Sequence, residues 1–230
     1  MSRYLITGAS RGIGQAIAVR LAEPGRTLLL VGRDSRALQE TSEIVQSRGA
    51  QPVVIAADLG SPSGVAAVIK AVSTEPLRAL ILNAGVCHVG PVEVITPAQW
   101  EETLAVNITA PFLLTQKLLP LLKEGSAIVN ILSVAARSGI PQWSSYCMSK
   151  FALEGFTQSI REELRPRGIR VINVYPAATA TQLWNGVPGD WPREKMLDPQ
   201  EVAEAVAYAL SRPDSAVVET ISVGNIAGRL

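Results

Sequence analysis

Three residues in the middle of the chain carry the chemistry that is simplest to state. Ser133 closes an apolar run that reads as a strand; thirteen residues later comes Tyr146, and four beyond it Lys150, in Tyr-Cys-Met-Ser-Lys. Helical residues four apart share a face, so a phenol and an ammonium spaced this way can converge on one point. A free tyrosine, with a pKa of about 10, exchanges protons poorly at neutral pH. A neighbouring cation lowers that value. A serine hydroxyl beside the phenol can hold a substrate oxygen while the proton moves. The trio therefore suits proton transfer to or from an oxygen atom.

A second stretch, Thr7-Gly8-Ala9-Ser10-Arg11-Gly12-Ile13-Gly14, follows the apolar Tyr4-Leu5-Ile6 and opens a helical pattern. A glycine-rich turn between a strand and a helix cradles a diphosphate on the helix N-terminus. The spacing is G-x-x-x-G-x-G and differs from the dinucleotide fingerprint G-x-G-x-x-G. Gly8, Gly12 and Gly14 allow a tight turn, close backbone approach to a pyrophosphate and close helix–strand packing. The alternative is a glycine turn that holds no ligand.

The next strand runs into Leu30-Val31-Gly32-Arg33-Asp34. Sites for NAD usually place a carboxylate at this tip to bind the ribose 2′-hydroxyl. Here the tip is Gly32 followed by Arg33, and a guanidinium pairs with a 2′-phosphate that a carboxylate would repel. Arg11 can close on the same phosphate, so the pair favours NADP(H) over NAD(H). Asp34 has two readings, the cap of the following helix or a ribose ligand turned inward. In Ala57-Asp58-Leu59 the aspartate can accept from an adenine amino group or cap a turn. Leu82-Asn83-Ala84-Gly85 is a small-residue turn that can lie against a flat cofactor or stabilise the centre of a sheet.

The elements that must position these groups alternate along the chain. Short runs rich in Val, Ile and Leu predict strands at 3–7, 27–32, 53–56, 79–82, 127–132, 170–174 and 216–223. Their continuous apolar character is that of strands buried on both faces. Helical patterns fill 12–23, 35–48, 61–73, 97–122, 144–165 and 199–211, with Asp34, Ser61 and Asp198 as caps. The alternation predicts an α/β, doubly wound parallel sheet, whose ligand crevice lies at the carboxyl ends of the strands. No linker or repeat divides residues 1–230, which are expected to form one domain. The long irregular segment 176–197 has the composition of a binding loop.

Composition removes several classes. The formal net charge of +1, from 21 basic and 20 acidic residues, argues against nucleic acid and anionic membranes as partners. No window approaches an uninterrupted membrane span, and the start of the chain lacks a leader pattern, so a cytoplasmic protein is expected. Two cysteines and one histidine suit neither a disulfide framework nor a zinc site. His88 reads either as a pocket residue or as an ordinary loop residue, and Cys147 as inert. Trp143, Trp184 and Trp191 fall in or beside the expected substrate loops, as walls for an apolar substrate or as packing.

In order and spacing, these motifs resemble the short-chain dehydrogenase/reductases in their compact one-domain form, over essentially the whole chain. The resemblance implies a Rossmann-type sheet of seven mostly parallel strands in the order 3-2-1-4-5-6-7. It implies hydride transfer between NAD(P)(H) and a small-molecule carbonyl/alcohol pair, with NADP(H) preferred on the strength of Arg11 and Arg33. Tyr146 is then the general acid/base, Ser133 positions the carbonyl, and Lys150 binds the nicotinamide ribose and lowers the tyrosine pKa. Asn107, in Val106-Asn107, holds a water in a proton relay through Lys150. The cofactor contacts implied are Gly8, Ser10, Arg11, Gly12, Ile13, Gly14, Arg33, Asp58, Leu59, Asn83, Ala84, Gly85, Tyr146, Lys150 and Thr181. The helices at 111–122 and 151–164 become a subunit interface, giving a homodimer or homotetramer. One departure is Pro176-Ala177, where the family has Pro-Gly: alanine resists positive φ beside the nicotinamide. Other functions compatible with parts of the pattern are a non-catalytic NADP sensor, an NAD-preferring alcohol dehydrogenase and a methyltransferase on a related sheet.

Overall fold

The computed structural model describes residues 1–226 and 228; positions 227, 229 and 230 of the expected domain lie outside the described residues. Seven strands, β1 (Ser2–Thr7), β2 (Arg26–Gly32), β3 (Gln51–Ala56), β4 (Leu77–Leu82), β5 (Leu122–Ile131), β6 (Arg170–Pro176) and β7 (Thr220–Val223), form one sheet. Its order is β3-β2-β1-β4-β5-β6-β7 and every pairing is parallel. The sheet has the order that the family resemblance implies, and is wholly rather than mostly parallel.

Alternate residues along each strand feed two cores. Tyr4, Ile6, Leu28 and Leu30 pack against helices α1 (Gly12–Leu21), α2 (Ser35–Ser47) and α7 (Pro199–Leu210). Leu5, Leu29, Leu80 and Leu82 face the other way, against α3 (Pro62–Val72), α5 (Ala110–Leu118) and α6 (Ser144–Leu164). Period-2 side-chain alternation in a strand covered on both sides is what makes the runs continuously apolar.

The run expected as one helix over 97–122 is three pieces. α4 (Pro97–Leu104) passes through a π-helical turn, Ala105–Thr109, into α5, with the Ala110 N–H donating to the Ala105 carbonyl. Pro120 lacks an N–H and its ring crowds the preceding turn, so α5 ends at Leu118 in a short 3-10 turn. β5 starts five residues earlier than expected, because Leu122 pairs with Leu77 across a register shift. β7 is shorter than expected: Ala216 closes a turn on Pro213 before pairing begins. Pro97–Leu121 is long and apolar enough to cross a membrane by length and composition, yet Ala110, Leu114 and Leu118 are packed in the sheet's core.

Candidate active site

The loops leaving the carboxyl ends of β1 to β6 enclose one continuous cleft of about 630 Å³, within the range of small-molecule sites. Its lining runs from Gly32, Arg33 and Asp58 at one end, past Gly8 to Ile13 and Asn83 to Gly85, to Ser133, Tyr146, Lys150 and Trp184 at the other.

The glycine turn is held from below by Thr7 and Asn83. Thr7 Oγ1 accepts from the backbone N–H groups of Asn83 (2.9 Å) and Ala84 (3.0 Å), and Asn83 Nδ2 donates to the carbonyl of Thr7 (2.9 Å). These bonds tie the turn after β1 to the turn after β4. Gly14 has no room for a side chain: an added Cβ would lie 2.1 Å from the Gly8 carbonyl oxygen and 2.5 Å from Asn83 Nδ2. Gly12, at φ +58°, sits under Thr181, whose methyl group would be 3.0 Å from such a Cβ. Thr181 thus closes over the helix start from the far side of the cleft. Arg11 is the N-cap of α1 and supplies no capping hydrogen bond, whereas Asp34, Ser61, Thr96 and Asp198 all cap their helices. An uncapped helix start beneath a glycine turn, opening into a cleft, fits the pyrophosphate of a dinucleotide.

At the β2 end, a Cβ added to Gly32 would lie 3.3 Å from Ser10 Oγ, and Arg11 and Arg33 both line this end of the cleft. Asp34 is engaged as a cap, its Oδ1 accepting from the N–H groups of Arg36 and Ala37 at 3.1 Å. Asp58 lines the cleft and also closes its own turn, with Oδ1 accepting from Gly60 N at 3.0 Å; Leu59 beside it is buried. Arg33 reaches Glu102 on α4 at 3.5 Å, and Glu102 also contacts His88 Nε2 at 2.9 Å. His88 therefore pairs with α4 and takes no part in the cleft wall.

At the other end, Lys150 is 5% exposed and its Nζ donates to the Ile131 carbonyl at 2.9 Å. It lies 5.6 Å from the centre of the Tyr146 ring. Burial, opposed weakly by Cys87, pulls the lysine down to about 8. Burial drives Tyr146 far above the ordinary tyrosine value; Cys87 adds to this, and the hydrogen bond from Ser133 works against it. In the protein alone Tyr146 is thus displaced upward, the opposite of the lowering by Lys150 that the family resemblance implies. Ser133 starts the 3-10 turn after β5, and its Oγ accepts from Ala135 N at 3.1 Å.

Asn107 lies in the π turn. Its side chain accepts from Val86 N (2.9 Å) and donates to the Val86 carbonyl (2.9 Å) and to Ser149 Oγ (3.0 Å). Ser149 in turn donates to the Tyr146 carbonyl at 2.7 Å. Gly85 lies beneath this group, where a Cβ would be 3.5 Å from Asn107 Oδ1 and 3.9 Å from Lys150 Nζ. From this π turn the Asn107 side chain reaches α6 at Ser149.

Ala177 needs no positive φ, since Ser73 and Gln142 are the only described non-glycine residues in that region. Its N–H donates to Val223 at 2.8 Å, so the chain leaves β6 in an extended path that alanine adopts freely. Sequence reasoning quoted Thr7 and Ser149 inside its motifs without giving them a role, and left out Val86 and Glu102. Thr7 and Val86 act by hydrogen bonding to partners many residues away.

A doubly wound parallel sheet with a cleft at the carboxyl ends of its strands is the architecture of a dinucleotide-binding protein. A short chain dehydrogenase family model matches residues 3–190. The chain is 32% identical over 229 residues to the uncharacterized oxidoreductase YmfI of Bacillus subtilis, covering 94% of each. Its fold overlays an alcohol dehydrogenase from the archaeon Thermococcus sibiricus complexed with 5-hydroxy-NADP, with a TM-score of 0.91 and 27% identity, covering 100% of this chain and 99% of that one. A short chain dehydrogenase from Burkholderia cenocepacia in complex with NADP overlays with a TM-score of 0.87 and 30% identity, covering 96% of each chain. The chain belongs to the short-chain dehydrogenase/reductase family and is an NAD(P)-dependent oxidoreductase.

Proposed function

We propose that the protein is a carbonyl reductase that prefers NADP(H), interconverting a ketone and a secondary alcohol, with Tyr146 as the general acid/base. The observation carrying this reading is that Ser133, Tyr146 and Lys150 share one cleft with the glycine turn and both arginines. The bound dinucleotide supplies the hydride. Tyr146, held as the neutral phenol by burial, donates its O–H proton to the carbonyl oxygen as the oxygen gains charge. Ser133 steadies that oxygen with its hydroxyl. Lys150 keeps an ammonium beside the resulting phenolate, with protons left over from its bond to Ile131 for the nicotinamide ribose. Asn107, whose amide bonds Val86 and Ser149, ties the loop after β4 to α6, and in this reading it also holds the water of the proton relay.

Residues 1–230 work as one unit in this reading, with 176–197 as the substrate loop and Thr181 on the nicotinamide carboxamide. Gly8, Ser10, Gly12, Ile13 and Gly14 carry the pyrophosphate; Asp58, Leu59, Asn83, Ala84 and Gly85 surround the adenosine. Phe112 on α5 and Phe151 on α6, 43% and 46% exposed, support burial of these helices in a homodimer or homotetramer. Free Cys87 and Cys147 suit the reducing cytoplasm.

NADP(H) is preferred because Asp34 is engaged in capping while Arg11 and Arg33 line the cleft. The Arg33–Glu102 pair is long and half-exposed, a weak competitor for a phosphate. Calorimetric titration tests the preference. NADPH should bind at least about tenfold more tightly than NADH, and Arg33→Ala should remove most of that difference. Equal or better NADH binding by the wild type would reverse the cofactor assignment.

A further inference from the structure

Resting on the carbonyl-reductase reading, we propose that the substrate is an uncharged ketone carried on a flat aromatic framework, received by Trp143, Trp184 and Trp191. Three of the chain's four tryptophans meet beside the catalytic phenol. Trp143 lies edge-on to Tyr146, with ring centres 5.8 Å apart, and edge-on to Trp184 at 5.6 Å and to Trp191 at 6.2 Å. Trp184 and Trp191 are 4.9 Å apart. Ring pairs at these separations leave further edges and faces that an aromatic guest can meet in the same offset or edge-to-face geometry.

The wall is built rather than incidental. Loop 176–197 is pinned at both ends by Ala180 N donating to Leu197 O (2.8 Å) and Leu197 N donating to Ala178 O (2.9 Å). The indole N–H of Trp184 donates to Thr179 O, and that of Trp191 to Pro188 O, both at 2.9 Å. With those donors engaged, the two indoles offer the cleft only π surface. Gly189, at φ +112°, brings the chain so close to Trp191 that a Cβ there would lie 3.2 Å from the indole nitrogen.

Charge is distributed in keeping with an uncharged guest. Among the described residues, Arg11, Arg33, Asp34 and Asp58 are the charged groups lining the cleft besides Lys150, and all four lie at the nucleotide end. Asp190, Arg193, Glu194 and Lys195 belong to the substrate loop but do not line the cleft; Arg193 is bonded to Thr181 O at 2.7 Å. A substrate carboxylate or phosphate placed against the tryptophans would lose its hydration without gaining a partner.

The test compares kcat/KM, with NADPH, for 2-acetonaphthone, 2-octanone, 6-acetyl-2-naphthoic acid and acetoacetyl coenzyme A. The first should exceed each of the others by about tenfold or more. Trp191→Leu should lower the naphthyl-to-octyl ratio about tenfold, while Trp191→Phe, which keeps an aromatic ring, largely preserves it. A better rate with the alkyl ketone, the acid or the thioester overturns the inference. Binding is read separately, by quenching of tryptophan fluorescence as 2-acetonaphthone is added to the protein with NADP⁺. Saturable quenching without turnover of any carbonyl supports the aromatic site and removes the reductase reading. Turnover of another carbonyl without quenching removes the aromatic site and leaves the reductase reading standing. Neither signal overturns both.

Discussion

At one end of the cleft the lining combines glycine turns and a helix start with the charged groups Arg11, Arg33, Asp34 and Asp58, whereas the other end is walled by tryptophans. The first end is fixed by Gly8, Gly12 and Gly14, by the Thr7–Asn83 hydrogen bonds and by an uncapped helix start. The second is fixed by rings packing on rings and by a loop bonded to itself. A surface of backbone donors and acceptors recognises what every dinucleotide shares. A surface of side chains can be changed residue by residue without disturbing the sheet. Tyr146 and Lys150 stand where the two meet, buried enough that their proton affinities are both displaced by desolvation.

The largest expected effect separates chemistry from binding. Tyr146→Phe should reduce kcat/KM for ketone reduction by about 10² to 10⁴, the usual worth of a general acid. NADPH affinity, measured by calorimetry, should change by less than about threefold. A comparable loss of NADPH binding would mean that Tyr146 holds the cofactor as much as it serves the proton.

Gly14→Ala addresses the glycine-turn end. A methyl group 2.1 Å from the Gly8 carbonyl must displace the turn, so the variant should lose about 1–3 kcal/mol in denaturant melts. NADPH binding should fall at least about tenfold. A variant with unchanged stability and affinity would show that this turn is not the rigid cradle described above.

The smallest effect concerns the junction. Lys150 carries a folded pKa of about 8 against an unfolded value of about 10.4. Below pH 8 both states hold the proton, and the folded state bears the cost of the buried ammonium. Between about pH 8 and 10 the unfolded chain binds more protons, so this group's contribution to stability rises with pH. Wild-type melts should therefore gain stability over that window relative to Lys150→Met, which has no ammonium to release. Parallel pH curves for the two proteins would place the lysine in a more hydrated setting than its burial implies.

Much of this was legible in the chain. Continuous apolar strands between capped helices announced the sheet, because burial on both faces leaves no alternation to obscure it. Gly14 stood out because only glycine tolerates a carbonyl at such close range, and Tyr146 and Lys150 because helical spacing aligns them. The π turn at Ala105–Thr109 was not legible: it changes the pitch of a helix without changing its composition. Asp34 as the cap of α2 was legible, and its carboxylate is engaged there. At Ala177 the backbone takes no positive φ, and its N–H is bonded to Val223 of β7, a strand more than forty residues away.

The sequence by itself determined the order of strands and helices, the glycine turn and the Ser133–Tyr146–Lys150 spacing, since these depend on steric and periodic rules acting over a few residues. Only the tertiary structure decided that Arg33 faces Glu102, that Asn107 locks Val86 to α6, and that three tryptophans from separate segments join into one wall. Those relations follow from how the sheet brings separate loops to one edge. Long-range packing of that kind leaves no periodic trace in the residues it joins.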